Sequence, residues 1–233
     1  MAAKLEEFHA DLQQAFHEAR NNKELDFEKE YQTQQDLYEK YASDWNQLMI
    51  ETEFKAPQIL ASIISDLYGK NNYVTILDYG CGTGPVASAL VNLHGFPKMI
   101  DGLDPCLELL EIAKKNDRMR NYYSLGSTDD HSVLGLKNYD MVCSSGVFFA
   151  TPSHPNLDCL PQLCDLAKKG GYIFICTGQI YMKIAQMEHA ERLEREGKIK
   201  ILPTEVFDGY RKATDLEEGQ TIKGVVLKFQ VLS

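Results

Sequence analysis

Two aspartates and three glycines pose the first chemical question. The stretch "LDYGCGTGP", residues 77 to 85, crowds Gly80, Gly82 and Gly84 into five residues and puts Asp78 two positions before the first. A second acid, Asp104, comes 24 residues after Gly80 (104 − 80), at the end of the run "KMIDGLDP". Glycines after a strand let a ligand approach bare backbone, and such loops commonly cradle phosphate. A carboxylate beside a phosphate repels it at close range. A nucleoside triphosphate also needs a longer glycine loop ending in Lys-Ser/Thr. Here Pro85 and Val86 follow Gly84, with no lysine.

Two ligand classes remain. A nicotinamide or flavin dinucleotide prefers G-x-G-x-x-G, and the last interval is one residue shorter here. Its pyrophosphate also conflicts with Asp78. A nucleoside with a cationic amino-acid tail and no phosphate fits better: S-adenosylmethionine. Its ammonium gives Asp78 a partner, directly or through water. Asp104 suits a bidentate hold on two ribose hydroxyls, as in nucleotide folds generally. The competing local roles are that Asp78 caps its turn and Asp104 caps the next helix.

Strands and helices must alternate to position these residues. "YVTILDYG" and "KMIDGLDP" read as buried strands, and "NYYSLG" as a short one. "YDMVCSSGVFF" and "YIFICTGQ" follow, and "IKILPTEVF" and "TIKGVVLKFQVL" close the chain as strands. Between them, "VASALVNLHG", "LELLEIAKKND", "NLDCLPQLCDLAKKGG" and "YMKIAQMEHAERLEREGK" read as helices. The third of these tolerates an internal Pro161 and stops at the double glycine. The pattern predicts an α/β fold: a Rossmann-like, doubly wound, mostly parallel seven-stranded sheet with helices on both faces. Residues 1–70 read differently. Leu5, Phe8, Leu12, Ala15 and Ala19 recur at helical spacing, and "RNNK" breaks it. A second helical stretch carries Phe27, Tyr31, Tyr38, Tyr41, Trp45 and Leu48. A third starts at Pro57 and stops at Gly69. Residues 1–70 are expected to form a helical cap, and residues 71–233 the α/β domain, with no long linker between them.

The quoted motifs resemble a known family. "ILDYGCGTG" looks like motif I of class I S-adenosylmethionine-dependent methyltransferases, and "IDGLDP" is similar to their second motif. "YDMVCSSGVF" resembles the fourth, and "LAKKGGYIFI" the segment entering the fifth strand. Together they span Tyr73 to Thr177 in the family's order. "LYEKYASDWNQLM" resembles the Tyr/Trp-rich helix of small-molecule members. That helix and "TPSHPNLDCLPQL" are similar to the Williams–Beuren syndrome region methyltransferase group (methyltransferase-like protein 27).

The resemblance implies an enzyme that uses S-adenosylmethionine and releases S-adenosylhomocysteine. It implies that Asp78, Gly80, Cys81, Gly82 and Gly84 line the methionine end of the cofactor. Asp104 takes the ribose, with Pro105 and Cys106 near the adenine. The family often carries a Gly-Asp pair after the third strand that reads the adenine amino group. This chain has "LGSTDD" instead, so Ser127, Thr128 or Asp129 fills that place. Ser144 and Ser145 lie beneath the reacting centre.

Methyl transfer is an in-line displacement in which the protein supplies alignment, dryness and, where needed, a base. His154, in "ATPSHPN", is the best base candidate, ahead of His131; a loop histidine in a turn hydrogen bond is the bland alternative. His9, His17, His94 and His189 show no metal-ligand spacing. Cys81 reads as packing or backbone contact. Tyr38, Tyr41 and Trp45 belong to an aromatic stripe that is either core or a lid over cofactor and substrate.

The bulk numbers narrow the partners. Formal net charge is −10, and the densest basic stretch, "AERLEREGKIK", is offset by its own glutamates. No basic groove for nucleic acid is expected. No apolar run approaches the roughly 20 residues of a membrane span. The N-terminus lacks the pattern of a signal peptide, so a cytoplasmic protein is expected. The six cysteines form no CxxC pair, so no metal site is expected. The reading is a methyltransferase acting on nitrogen or oxygen of a small molecule. Its rivals are an NAD-dependent oxidoreductase and a non-catalytic S-adenosylmethionine-binding protein.

Overall fold

The computed structural model describes residues 4, 6–8, 10, 11, 14, 27–69, 71–125, 134–148, 154–181, 184–212 and 221–233. Seven strands form one sheet: β1 (Ile76–Tyr79), β2 (Ile100–Leu103), β3 (Asn121–Tyr123), β4 (Tyr139–Ser145), β5 (Ala167–Gly178), β6 (Ile199–Lys212) and β7 (Thr221–Val231). Their order is β3-β2-β1-β4-β5-β7-β6. The first five run parallel. β7 enters antiparallel between β5 and β6. The chain moves outward from β1 to β3, then returns to β4 on the other side of β1. Strand order therefore reverses beside β1, where open α/β sheets open a crevice at the strands' carboxyl ends.

Described helices are α1 (Phe27–Tyr41), α2 (Trp45–Glu51), α3 (Ala56–Tyr68), α4 (Pro85–His94), α5 (Leu107–Asn116), α6 (Leu160–Leu166) and α7 (Ile184–Arg195). Alternation along the strands loads both faces of the sheet. Ile76, Ile100, Met141, Cys143 and Phe174 pack with α3 and α4 on one face. Leu77, Val142, Ile173 and Ile175 pack with α6 and α7 on the other. Two covered faces explain the near-continuous apolar reading of the central strands. α4 opens with Pro85 in its first turn and closes on left-handed Gly95. α3 likewise ends at Gly69.

Three elements differ from the sequence reading. The helix expected through the double glycine is a 3-10 turn, Leu157–Cys159, followed by the short α6. Pro161 stands in its first turn, where a missing N–H costs nothing. Ala167 already pairs with Tyr139, so the chain leaves the helix before the glycines. The aromatic stretch is split by a 3-10 turn at Ala42–Asp44 into α1 and α2. β6 continues past Phe207 to Lys212, held by pairing of Arg211 and Lys212 with β7.

The N-terminal helical region divides in two. α3 is buried in the sheet's core through Ala56, Leu60, Ala61 and Ile64. α1 and α2 instead rest on α5, where Tyr38, Ala42 and Trp45 meet Cys106 and Leu109. Phe8, Leu37, Tyr41 and Leu48 form a small core of their own above it. Among the described residues no helix is long and apolar enough to cross a membrane.

Candidate active site

The glycine loop is bound back onto β2. The N–H groups of Gly80 and Cys81 donate to the Leu103 carbonyl at 2.7 and 3.0 Å. The N–H of Gly82 donates to Asp104 Oδ2 at 2.8 Å, and that of Gly84 to the Cys81 carbonyl at 2.8 Å. These donors are committed within the protein, so the loop is no ring of free N–H groups for a phosphate. Gly80 is the tightest position. Its φ is +72°, and a Cβ there would lie 2.3 Å from Val147 Cγ2. Conformation and space both demand glycine.

Asp104 follows β2 and is buried. Its Oδ1 accepts from the Cys106 N–H at 2.9 Å, where α5 begins. The local role and the cleft position coexist, because each carboxylate oxygen keeps a further lone pair. Burial pushes this carboxyl up to about 6, against the pull of the Cys106 and Gly82 N–H groups. Asp78 is 1% exposed and lies behind the loop rather than on the cleft wall. Its Oδ2 has no hydrogen-bond partner. Burial, then the charge of Asp104, pushes its carboxyl up to about 8. Two adjoining buried acids, one with a bare oxygen, form a site that a cation relieves.

Two hydrogen bonds tie α1 and α2 to the cleft. Tyr38, from α1, places its hydroxyl 2.8 Å from His154 Nε2. Thr83, in the glycine loop, donates to Asn46 Oδ1 on α2 at 2.6 Å. Trp45 packs edge-on against Tyr38, with ring centroids 5.2 Å apart. His154 is 8% exposed, and burial pushes its imidazole down to about 4. The ring is neutral at pH 7. Tyr38, Trp45 and His154 all line the cleft. Tyr41 does not; it packs on Phe8 and donates to Asp11 Oδ2 at 2.7 Å.

Cys81, Gly82, Pro105 and Ser145 are also on the cleft wall, while Gly84, Cys106 and Ser144 are behind it. Ser144 donates to the Tyr79 carbonyl at 2.7 Å, tying the ends of β4 and β1 together. Burial pushes the thiol of Cys81 well up, so the helix that follows does not make it a thiolate. Ser127, Thr128, Asp129 and His131 lie outside the described residues. Among the described residues no group of three or more His, Cys, Asp or Glu could hold a metal ion. The structure adds wall residues that sequence reasoning missed, Gln34, Phe54, Thr83, Tyr210 and Arg211, and Asn46, which holds Thr83 from α2. Gln34 had a legible signal, because it stands one helical turn before Tyr38. Tyr210 and Arg211 had none, since they depend on how far β6 extends.

The family model described as "Methyltransferase domain" matches residues 12–210 of this chain. Ubiquinone biosynthesis O-methyltransferase of Hydrogenovibrio crunogenus is 26% identical over 103 residues, 44% of this chain and 42% of that protein. Malonyl-[acyl-carrier protein] O-methyltransferase of Bacillus anthracis is 32% identical over 96 residues, 40% of this chain and 34% of that protein. The chain thus matches less than half the length of either curated relative. Among solved structures, a TehB-like SAM-dependent methyltransferase from Corynebacterium glutamicum aligns with a TM-score of 0.57 and 22% identity, over 83% of this chain and 97% of that one. Magnesium protoporphyrin IX methyltransferase from Synechocystis PCC 6803, with bound SAM, aligns with a TM-score of 0.61 and 14% identity, over 91% and 100% of the two chains. At those identities the two structures share the fold.

Proposed function

This chain belongs to the methyltransferase-domain family, and within it we propose an enzyme that methylates oxygen or nitrogen of a small molecule at the expense of S-adenosylmethionine. The observation that carries the reading is the partnerless Asp78 oxygen beside Asp104, under a glycine loop in which the N–H groups of Gly80, Cys81, Gly82 and Gly84 are already used. That arrangement suits a cation and a ribose better than a pyrophosphate, which the two acids repel. It weighs against the NAD-dependent alternative. The net charge of −10 favours a small acceptor over a nucleic acid.

S-Adenosylmethionine supplies a methyl group on a sulfonium, which departs as the neutral thioether of S-adenosylhomocysteine. The chain's residues do the rest by holding and drying. Gly80, Cys81, Gly82 and Gly84 shape the methionine end, and Asp78 answers its ammonium from behind the loop. Asp104 keeps one lone pair per oxygen for the ribose hydroxyls, and Pro105 borders the adenine, with Cys106 behind it. Ser127, Thr128 or Asp129 reads the adenine amino group. Ser145 lies beneath the reacting centre, on a floor that Ser144 fixes. Tyr38 and Trp45 close the cap and exclude water. The acceptor loses its proton as its bond to the methyl carbon forms, and His154 is positioned to take it.

The finer grouping is also part of this reading. The Tyr/Trp-rich cap and "TPSHPNLDCLPQL" support kinship with the Williams–Beuren syndrome region methyltransferase group. The cap is assigned to residues 1–70, with its covering portion ending at Glu51. A cytoplasmic site of action belongs to the same proposal; the composition, 44% hydrophobic and 25% charged, says only that the chain is ordinary for a globular protein.

Labelled methyl transfer into a metabolite extract, with products identified by mass, tests the reading. Thermal-shift titration accompanies it. Stabilisation by NAD and not by S-adenosylhomocysteine overturns it. Cofactor binding without transfer to any acceptor favours the non-catalytic alternative.

A further inference from the structure

The cap carries a second unmet polar group. Gln34 is 2% exposed, lines the cleft, and has no hydrogen-bond partner at Oε1 or Nε2. A buried amide without partners bears its full desolvation penalty, so its place is paid only when a ligand or water meets it. Gln34 stands between Tyr31 and Tyr38 on one face of α1, and all three line the cleft.

The neighbours say which end of the cleft Gln34 serves. Tyr38 is the end nearer the cofactor acids: the charge of Asp104 acts on its phenol, and its ring meets Cys106 and Leu109. Tyr31, about two helical turns before Tyr38, is the other end of this row. Gln34 is therefore displaced from the ribose-holding acid by a turn of helix. Ser145, at the end of β4, adds a buried hydroxyl on the same cleft, also without a partner. Phe54, Met49, Val147 and Tyr79 supply apolar and aromatic wall. Arg211 also reaches this cleft, from β6.

We propose that Gln34 is the specificity-determining residue for the methyl acceptor, which is an uncharged planar ring carrying a hydrogen-bond donor and an acceptor side by side. The inference rests on the methyltransferase reading above. A carboxamide fork matches such an edge with two parallel hydrogen bonds, Oε1 accepting and Nε2 donating, as it does on a nucleobase. The aromatic wall takes the ring faces. Ser145 meets a further polar atom of the same ligand.

Catechol is the probe, because its two neighbouring hydroxyls present one donor and one acceptor. Binding is measured by calorimetry on the full chain saturated with S-adenosylhomocysteine. Catechol is expected to bind, with 1,2-dimethoxybenzene and benzoate weaker by roughly ten-fold or more. Gln34→Met is expected to weaken catechol by roughly ten-fold while the S-adenosylhomocysteine affinity changes less than about two-fold. Gln34→Asn, which keeps the amide but withdraws it, must show the same split should the Met variant fold poorly. The proposal is overturned by catechol held equally well by the variants, by benzoate preferred through Arg211, or by S-adenosylhomocysteine lost in the variants, which would give the amide to the cofactor's adenine. Absent catechol binding with S-adenosylhomocysteine bound overturns this proposal alone. Absent S-adenosylhomocysteine binding by the unmodified chain overturns the parent reading with it.

Discussion

The Tyr38 hydroxyl stands 2.8 Å from Nε2 of His154, across 116 positions of chain. It joins the cap to the segment after β4 and encloses the cleft between them. If the cleft holds the cofactor as proposed, this contact keeps water from the reacting atoms and slows cofactor escape.

Tyr38→Phe removes that bond and little else. Stability should fall by about 1 kcal/mol, the net worth of a typical hydrogen bond. Dissociation of S-adenosylhomocysteine should speed up by roughly ten-fold, because about 1.4 kcal/mol of closure is that factor in rate. Trp45 is the chain's sole tryptophan and packs on Tyr38, so its fluorescence reports the cap directly. Stopped-flow displacement with an unchanged off-rate would contradict the clamp.

How much of this was legible in sequence varies by element. The glycine turn, Asp78 and Asp104 could be read because a buried parallel strand ends in a fixed way and its loop residues are local to it. The cap's aromatic stripe was legible as a helix, but its two faces were not. Tyr38 and Tyr41 are three residues apart and look equivalent. Only packing sends Tyr38 to the cleft and Tyr41 to Phe8 and Asp11. The strand that begins at Ala167 was hidden because the apolar spacing of "LPQLCDLA" continues a helix, while pairing with Tyr139 is a long-range decision. The bond between Asn46 and Thr83 joins segments 37 residues apart and carries no local signature.

The paired acids predict a pH dependence. Asp78 and Asp104 both have carboxyls raised above their unfolded value of 3.8. Raised carboxyls stabilise the fold fully below that value, and the contribution is lost as pH rises through about 6 for Asp104 and about 8 for Asp78. The free protein should therefore lose melting temperature as pH rises from about 4 to about 8, with Asp104 contributing only up to about 6. A ligand ammonium favours the ionised forms, so S-adenosylhomocysteine should bind more tightly over the same interval. Asp78→Asn should flatten both trends and weaken binding. Calorimetry across that window that finds wild type and Asp78→Asn parallel would remove the ammonium role.

Gly80→Ala tests the close approach at the loop. The substitution meets two penalties at once: a left-handed φ and a Cβ 2.3 Å from Val147 Cγ2. A loss of about 1–3 kcal/mol is expected from the strained backbone, before any movement of Val147. Adding Val147→Ala should recover the steric part and leave the backbone part. Urea unfolding of the single and double variants measures both. A single variant as stable as wild type would mean that Val147 yields freely and the glycine is dispensable.

His154 can act as base or only as clamp, and kinetics separate the two. Burial pushes its imidazole down to about 4. A depressed histidine stabilises the fold above its unfolded value of 6.5, and that stability is lost as pH falls toward 4. The ring is thus already neutral at pH 6 and ready to accept a proton. If it is the base, His154→Gln should lower kcat by roughly 10²–10⁴-fold, with S-adenosylhomocysteine affinity nearly retained, because the Gln side chain still reaches Tyr38. The wild-type acid limb should then fall near pH 4 rather than near pH 6.5. If it is only the clamp, His154→Ala should match Tyr38→Phe in off-rate, and His154→Gln should keep its turnover. Intact kcat in His154→Gln decides for the clamp and leaves deprotonation of the acceptor to solvent.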